Sequence, residues 1–340
     1  CSSDLEPLGR FLGSSDKLLP YVIEYMSWYV PFLVFYEILN ISMFYIRLDG
    51  SPNYAMMCNA TAAILNILLD YIFIFEFGWG MMGAAFATSL GTVVGGLMTL
   101  VYLMHYSHDL RLYRIKLSRK SLRMTFRNIG YMVKLGNSAF VSEASIACMM
   151  FLGNYVFIRN LGEDGVAAFS IVCYFFPIIF MVCNAIAQSA QPIISYNFGA
   201  GQPERVRKAL RLSLRTALIC GICFFILTTL CCRNIVALFI DRSYSAFDIA
   251  VNGIPYFGIG FIFFAINMIG IGYYQSIERG QRATIITLLR GVVFMLIGFF
   301  VLPPILGVPG IWLAVPSAEL LTTLYIIGIY FKDRFIVRRR

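Results

Sequence analysis

Charge is scarce in this 340-residue chain: 13% of its residues are Asp, Glu, Lys or Arg, against roughly a quarter in a soluble domain. Charge so sparse cannot cover the surfaces of the two or three soluble domains that the length would allow. Catalytic motifs are missing too. There is no HExxH, no GxSxG and no GxxxxGK[ST], and Gly199-Ala200-Gly201 is followed by Gln202-Pro203-Glu204, which breaks GxGxxG. No enzyme is expected, and no nucleotide or other cofactor. The nine cysteines (Cys1, Cys58, Cys148, Cys173, Cys183, Cys220, Cys223, Cys231 and Cys232) lie mostly inside apolar runs, which argues against a disulfide framework. Cys220 and Cys223 have CxxC spacing but no histidine nearby, so they read as helix packing and no metal is expected.

What the chain has is apolar residues, 59% of the total, in runs of the length a bilayer core requires. Nine membrane helices are expected, at 18–46, 53–76, 80–106, 129–159, 164–196, 204–231, 246–276, 282–304 and 308–331, punctuated by Gly, Pro, Asn and charge. Lys and Arg alternate strongly between sides: 21 fall on one side and 5 on the other, with Arg290 inside a span. By the positive-inside rule the C-terminus is cytoplasmic and the N-terminal stub external. The net charge of +9 therefore belongs to one membrane side rather than to a nucleic-acid surface. No signal-peptide pattern opens the chain.

Two stretches repeat. "IRLDGSPNYA" (46–55) lies on "SIERGQRATI" (276–285), matching Gly50 to Gly280. "GMMGAAFA" (80–87) lies on "GVPGIWLA" (307–314), matching Gly80 and Gly83 to Gly307 and Gly310. Both copies run the same way across the membrane, a parallel repeat of the kind transporters use. The fold class expected is an all-α polytopic protein of two six-helix lobes. The arithmetic of the offset puts three helices upstream, so the nine here would be helices 4–12. The division is 1–106 for the rest of the first lobe, 107–128 for a cytoplasmic linker, and 129–340 for the second lobe with its basic tail.

Ionisable side chains near the bilayer centre are candidates for function. Glu37, Glu143 and Glu319 lie deepest, with Arg290 shallower. Glu143 shares a helix face with Asn154, three turns on. It is either a carboxylate in a water-filled cavity, binding a proton or cation, or a carboxyl kept neutral by hydrogen bonds. Glu37, one turn from Asn40, is either a clamp between helices or part of a cavity wall. Arg290 and Glu319, on consecutive antiparallel helices, form an internal ion pair or meet substrate. Asn184, Gln188, Gln191 and Ser195 make one polar stripe that must face protein or water, and Pro177 and Pro192 invite bends in the same helix. Gly83, Ala87, Gly91 and Gly95 form a helix-contact ladder. His105 and His108 fall at the membrane edge.

"LNILLDYIFIFEFGWGMMGAAFATSLG" (65–91), "GNSAFVSEASIACMMFLGNYV" (136–156) and "QPIISYNFGAGQPERVRKAL" (191–210) resemble the multidrug and toxic compound extrusion (MATE) family across almost the whole chain. The resemblance implies a V-shaped pair of lobes in the bacterial inner membrane. They would export amphipathic, often cationic drugs in antiport with H⁺ or Na⁺, as a monomer with no nucleic-acid partner. It places Glu143 and Asn154 where family members carry a Glu and an Asn on the seventh helix. From the residues themselves, ion coupling is expected at Glu143 and Asn154, with Asn184, Gln188, Gln191, Glu37 and Asn40 as cavity candidates. Tyr71 and Ser138 stand where the family often has Pro. The alternative function is a lipid-linked oligosaccharide flippase of the same superfamily.

Overall fold

The computed structural model describes residues 5–7, 19–108, 110 and 118–338, with side chains as far as Lys332. Most of the expected N-terminal stub, residues 109 and 111–117 of the expected linker and the last two arginines lie outside those residues. Every regular element among them is helical, and they form two compact units, Cys1–Lys116 and Leu117–Arg340.

The first unit holds α1 (Leu19–Tyr29), α2 (Leu33–Leu48), α3 (Pro52–Asp70) and α4 (Gly80–Val101). Pro31 has no N–H to give, and the chain passes from α1 to α2 through a tight 3₁₀ turn, Val30–Phe32. Wide π turns extend α3 over Tyr71–Glu76 and α4 over Tyr102–Tyr106. The small-residue ladder is a contact face, as expected. A Cβ at Gly91 would lie 2.7 Å from the Ala62 carbonyl oxygen, and one at Gly95 3.0 Å from the Ala62 Cβ. Only glycine lets α3 and α4 come this close. At the far end, buried Asp49 pins the α2–α3 turn to the end of α4. It accepts from the Tyr102 hydroxyl (2.9 Å) and from the backbone N–H groups of His108 (2.8 Å) and Leu110 (3.0 Å). The His108 imidazole itself stays largely exposed.

The second unit begins with α5 (Arg119–Gly199), 81 residues long and broken at Gly162, where φ is 67°. Its arms fold back on each other: Phe157 and Phe169 stack at 4.6 Å, and Gly153 leaves the Phe169 ring room that any Cβ would fill. These arms are the spans expected at 129–159 and 164–196. The first starts ten residues early because Ser118 caps it, accepting from the Ser121 N–H at 3.1 Å. Pro177 and Pro192 both sit inside the helix, and Gly162 alone leaves helical φ/ψ. Then come α6 (Pro203–Leu230), α7 (Cys232–Ala237), α8 (Ser245–Gly258) and α9 (Gly260–Ser276). They are followed by α10 (Gly280–Leu288), a π turn at Leu289–Val293, α11 (Phe294–Leu306) and α12 (Val308–Arg338). The core centres on Trp312, packed against Gly253 and edge-on to Phe157 at 4.8 Å.

Among the described residues, seven helices are long and apolar enough to cross a membrane, and the pair α8–α9, bent by 41°, makes eight when it is taken as one broken span. Since α5 doubles back, it supplies two of the nine expected spans. The eight described cysteines are free, and no metal-type cluster of three or more ligands occurs among the described residues.

The repeat is visible in the turns, with one correction of register. Positive φ falls at Gly80 and Gly307, 227 residues apart, as the overlay expects. At the other turn it falls at Gly50 (φ 86°) and Glu278 (φ 62°), 228 apart, so Gly50 corresponds to Glu278 rather than to Gly280. Matching letters aligned the glycines; the turn geometry aligns the left-handed residues. Glu278 therefore carries backbone strain that its counterpart avoids. Glu278→Gly is expected to be more stable than Glu278→Ala by about 1 kcal/mol, the cost of this backbone region for a residue with a Cβ. Thermal unfolding of the two purified variants measures it, and equal midpoints would remove the strain argument.

Candidate functional site

In the first unit, α3 carries Asn66 and Asp70 one turn apart, so their side chains share a face. The tight α3–α4 contact adds a third group: a Cβ at Gly91 would touch Asn66 at 3.4 Å, and Thr88 lies one turn earlier on α4. Asn66 Nδ2 donates to Asp70 Oδ2 at 3.2 Å and lies 3.3 Å from Thr88 Oγ1. Thr88 in turn donates to the Ala84 carbonyl at 2.9 Å. The second carboxylate oxygen, Asp70 Oδ1, is buried with no hydrogen-bond partner among the described residues. A buried carboxylate oxygen with nothing to accept from is costly, and it is the arrangement that a proton or a hard cation relieves.

Sequence reasoning misses Asp70. The signal was present: an acid in an apolar span, with an amide four residues before it. Thr88, eighteen residues away on the next helix, could be added only once the glycine contact was known.

The second unit encloses a different polar centre. Arg290 and Glu319 are both buried, and their Nε and Oε1 atoms lie 3.8 Å apart. This is the internal ion pair, the first of the two readings open from sequence. The π turn Leu289–Val293 holds Arg290, whose guanidinium sits 5.0 Å from the Phe264 ring centre and 3.4 Å from Ser142 Oγ. Asn267 donates to Glu319 twice, to Oε2 at 2.7 Å and to the carbonyl at 2.8 Å, and accepts from Thr323 at 2.9 Å. A cavity of about 20 Å³ beside the pair, lined also by Ser145 and Met149, is large enough for one water molecule. Every charge here is met within the unit, so the centre ties the first arm of α5, α9, the π turn and α12 together.

That centre also sets which way the first arm of α5 faces. Ser142, Ser145 and Met149 are buried toward it, so Glu143 and Asn154 are on the exposed face. Neither makes a hydrogen bond or ion pair among the described residues. Phe140 and Phe151, each exposed, flank them one turn away.

The polar stripe on the second arm splits in two. Gln191 donates to Gln275 Oε1 at 2.6 Å, Gln275 donates to Ser138 at 2.8 Å, and Ser195 donates to the Ser276 carbonyl at 3.2 Å. This end of the stripe fastens α5 to α9. Asn184 and Gln188 are half-buried and make no such bonds. Glu37 is exposed on α2, while Asn40 folds back to the Tyr36 carbonyl at 2.9 Å. The structure thus brings Glu143 and Asn154 to one face, and Asn184 and Gln188 to another. Glu37 and Asn40 belong to the other unit.

The MatE family model matches residues 5–72 and 138–307, well over half the chain. The chain belongs to the MatE family. Among its relatives are multidrug export proteins MepA of Staphylococcus aureus (strain bovine RF122) and Staphylococcus saprophyticus. Each is 25% identical over 98% of this chain and 72% of the relative. An outward-facing multidrug resistance MATE family transporter of the MOP superfamily has a similar fold, with a TM-score of 0.88 at 21% identity, covering 100% of this chain and 75% of that one. A MOP superfamily transporter of Pyrococcus furiosus, described as having a binding pocket of reversed polarity, is similar at a TM-score of 0.87 and 21% identity, with the same coverage.

Both departures of this MatE chain from the resemblance have a local account. Tyr71 keeps the N–H that a Pro would lack, and it donates to the Ile67 and Leu68 carbonyls. The helix consequently runs on past Asp70 into the π turn rather than breaking there. Ser138 is buried and accepts the Gln275 amide while donating to the Leu135 carbonyl at 3.1 Å. A Pro there would lose both bonds.

Proposed function

We propose that this MatE chain works in a multidrug efflux transporter of the bacterial inner membrane. It exports amphipathic cations by alternating access in exchange for H⁺ or Na⁺, with its C-terminus in the cytoplasm. The observation that carries the ion coupling is the partnerless Asp70 oxygen. A proton adds there directly. A sodium ion would be held by the same oxygen, with the Thr88 hydroxyl and the Asn66 amide oxygen as neighbours after the amide rotates. Either ion removes the cost of the buried bare oxygen, so occupancy and conformation become coupled.

Glu143 is the second carboxylate of this reading, with Asn154 beside it. An acid flanked by the exposed rings of Phe140 and Phe151 suits an amphipathic cation, which gains from the charge and from the ring faces. Asn184, Gln188, Gln191, Glu37 and Asn40 remain cavity candidates, and Gln191 would have to release Gln275 to serve. The names of the MepA relatives support the drug-export reading. The flippase alternative is disfavoured because pyrophosphate needs cations, and Arg290, the cation of the second unit's core, is engaged by Glu319.

Glu143→Gln tests the second carboxylate. Drug resistance in an efflux-deficient host should fall about tenfold, the loss of one charged contact of roughly 1.5 kcal/mol, with membrane abundance unchanged. Full resistance in that variant would remove Glu143 from the mechanism.

A further inference from the structure

The second arm of α5 and α6 leave a groove of about 510 Å³ between them, lined by Val182, Ala185, Ile186, Ser189, Ile193 and, on α6, Leu212 among others. Neither the ion sites nor the polar stripe uses it. Its lining on α5 runs from Val182 to Ile193, about 16 Å of helix, which is half the roughly 30 Å of a bilayer's hydrocarbon core. That is the depth of one leaflet.

The walls contain hydroxyls, yet these are spent inside their own helices. Ser189 donates to the Ala185 carbonyl at 2.8 Å, Ser213 to Leu210 at 3.0 Å and Thr216 to Leu212 at 3.1 Å. The groove therefore offers an occupant almost no donor. Pockets that recognise drugs or peptides place polar groups to orient them; this one suits a hydrocarbon chain.

One end is different. Continuing the same stripe by one turn, α6 carries Arg205 below Ala209, with Lys208 beside it, and α5 carries Tyr196 beyond Ile193. All three are exposed. Arg207 is occupied by Glu204 at 2.7 Å, whereas Arg205 and Lys208 have no acidic partner among the described residues. Two free cations and an amphipathic ring at the mouth of an apolar groove of one-leaflet length are complementary to an anionic headgroup above an acyl chain.

We propose that this groove binds one anionic phospholipid, with an acyl chain between α5 and α6 and its phosphate at Arg205 and Lys208. Retention of phosphatidylglycerol against phosphatidylcholine tests it. The protein is reconstituted in mixed nanodiscs, extracted in mild detergent and weighed by native mass spectrometry. The expected result is one retained phosphatidylglycerol per chain.

Arg205→Gln/Lys208→Gln should cut the preference for phosphatidylglycerol about 30-fold, at roughly 1 kcal/mol for each cation near an anionic surface. Ser189→Trp, which fills the groove, should abolish retention of either lipid. Arg242→Gln, a cation lost elsewhere, should change nothing. Undiminished retention in either groove variant would overturn the proposal. So would equal retention of both lipids by the unaltered protein, loss in Arg242→Gln, or a second copy of the chain in place of lipid.

Discussion

Arg290→Met is expected to cost the protein about 3–5 kcal/mol, the effect of stripping one partner from a buried ion pair. Glu319 would keep its two bonds from Asn267, but its charge would be left uncompensated in the core of the second unit. The double variant Arg290→Met/Glu319→Leu should recover most of that loss, because apolar residues of similar size replace a buried pair at little cost. Fluorescence-detected gel filtration after heating would report both. Were the single variant as stable as the unaltered protein, the pair would contribute nothing to holding the four segments together. Failure of the double variant to recover would instead move the role from charge balance to the particular bonds with Ser142 and Asn267.

Asp70→Asn is expected to act in the opposite way, lowering transport while leaving stability unchanged or improved. The amide keeps the shape and can still meet Asn66, and it removes a carboxylate whose Oδ1 has no partner. Ion coupling through that oxygen should fall by about 10–100-fold, equivalent to one charge-assisted contact of roughly 1.5–3 kcal/mol. Drug resistance in an efflux-deficient host gives the first quantity, and the unfolding midpoint of the purified variant the second. A fall in both together would mark Asp70 as structural. This separation of signs is what a strained functional site produces, and the Arg290 centre should not show it.

The spans and their punctuation were legible because a bilayer writes its thickness into sequence. Apolar runs at 53–76 and 80–106 became α3 and α4 with their π extensions almost residue for residue. The Arg290–Glu319 pair was legible as one of two possibilities, since opposite charges on consecutive antiparallel helices have few other partners. Less visible was anything set by close approach of backbones. Asn66, Asp70 and Thr88 converge only because Gly91 lets α4 touch α3. Spacing puts Gln191 in a single stripe with Asn184, yet Gln275 comes from another helix and claims it. Letter matching sets the repeat register two residues off at Glu278, because left-handed backbone, usually given to glycine, is given there to a glutamate.

On the proposed reading, a cation or proton on Asp70 drives export. This is tested most directly in proteoliposomes, by adding a cationic dye substrate to one side and following H⁺ and Na⁺ with separate indicators. The unaltered protein should move one of these ions against the dye, and Asp70→Asn should bind the dye with unchanged affinity while moving that ion about 10–100-fold more slowly. Counterflow in Asp70→Asn equal to that of the unaltered protein would mean that Asp70 does not carry the coupling.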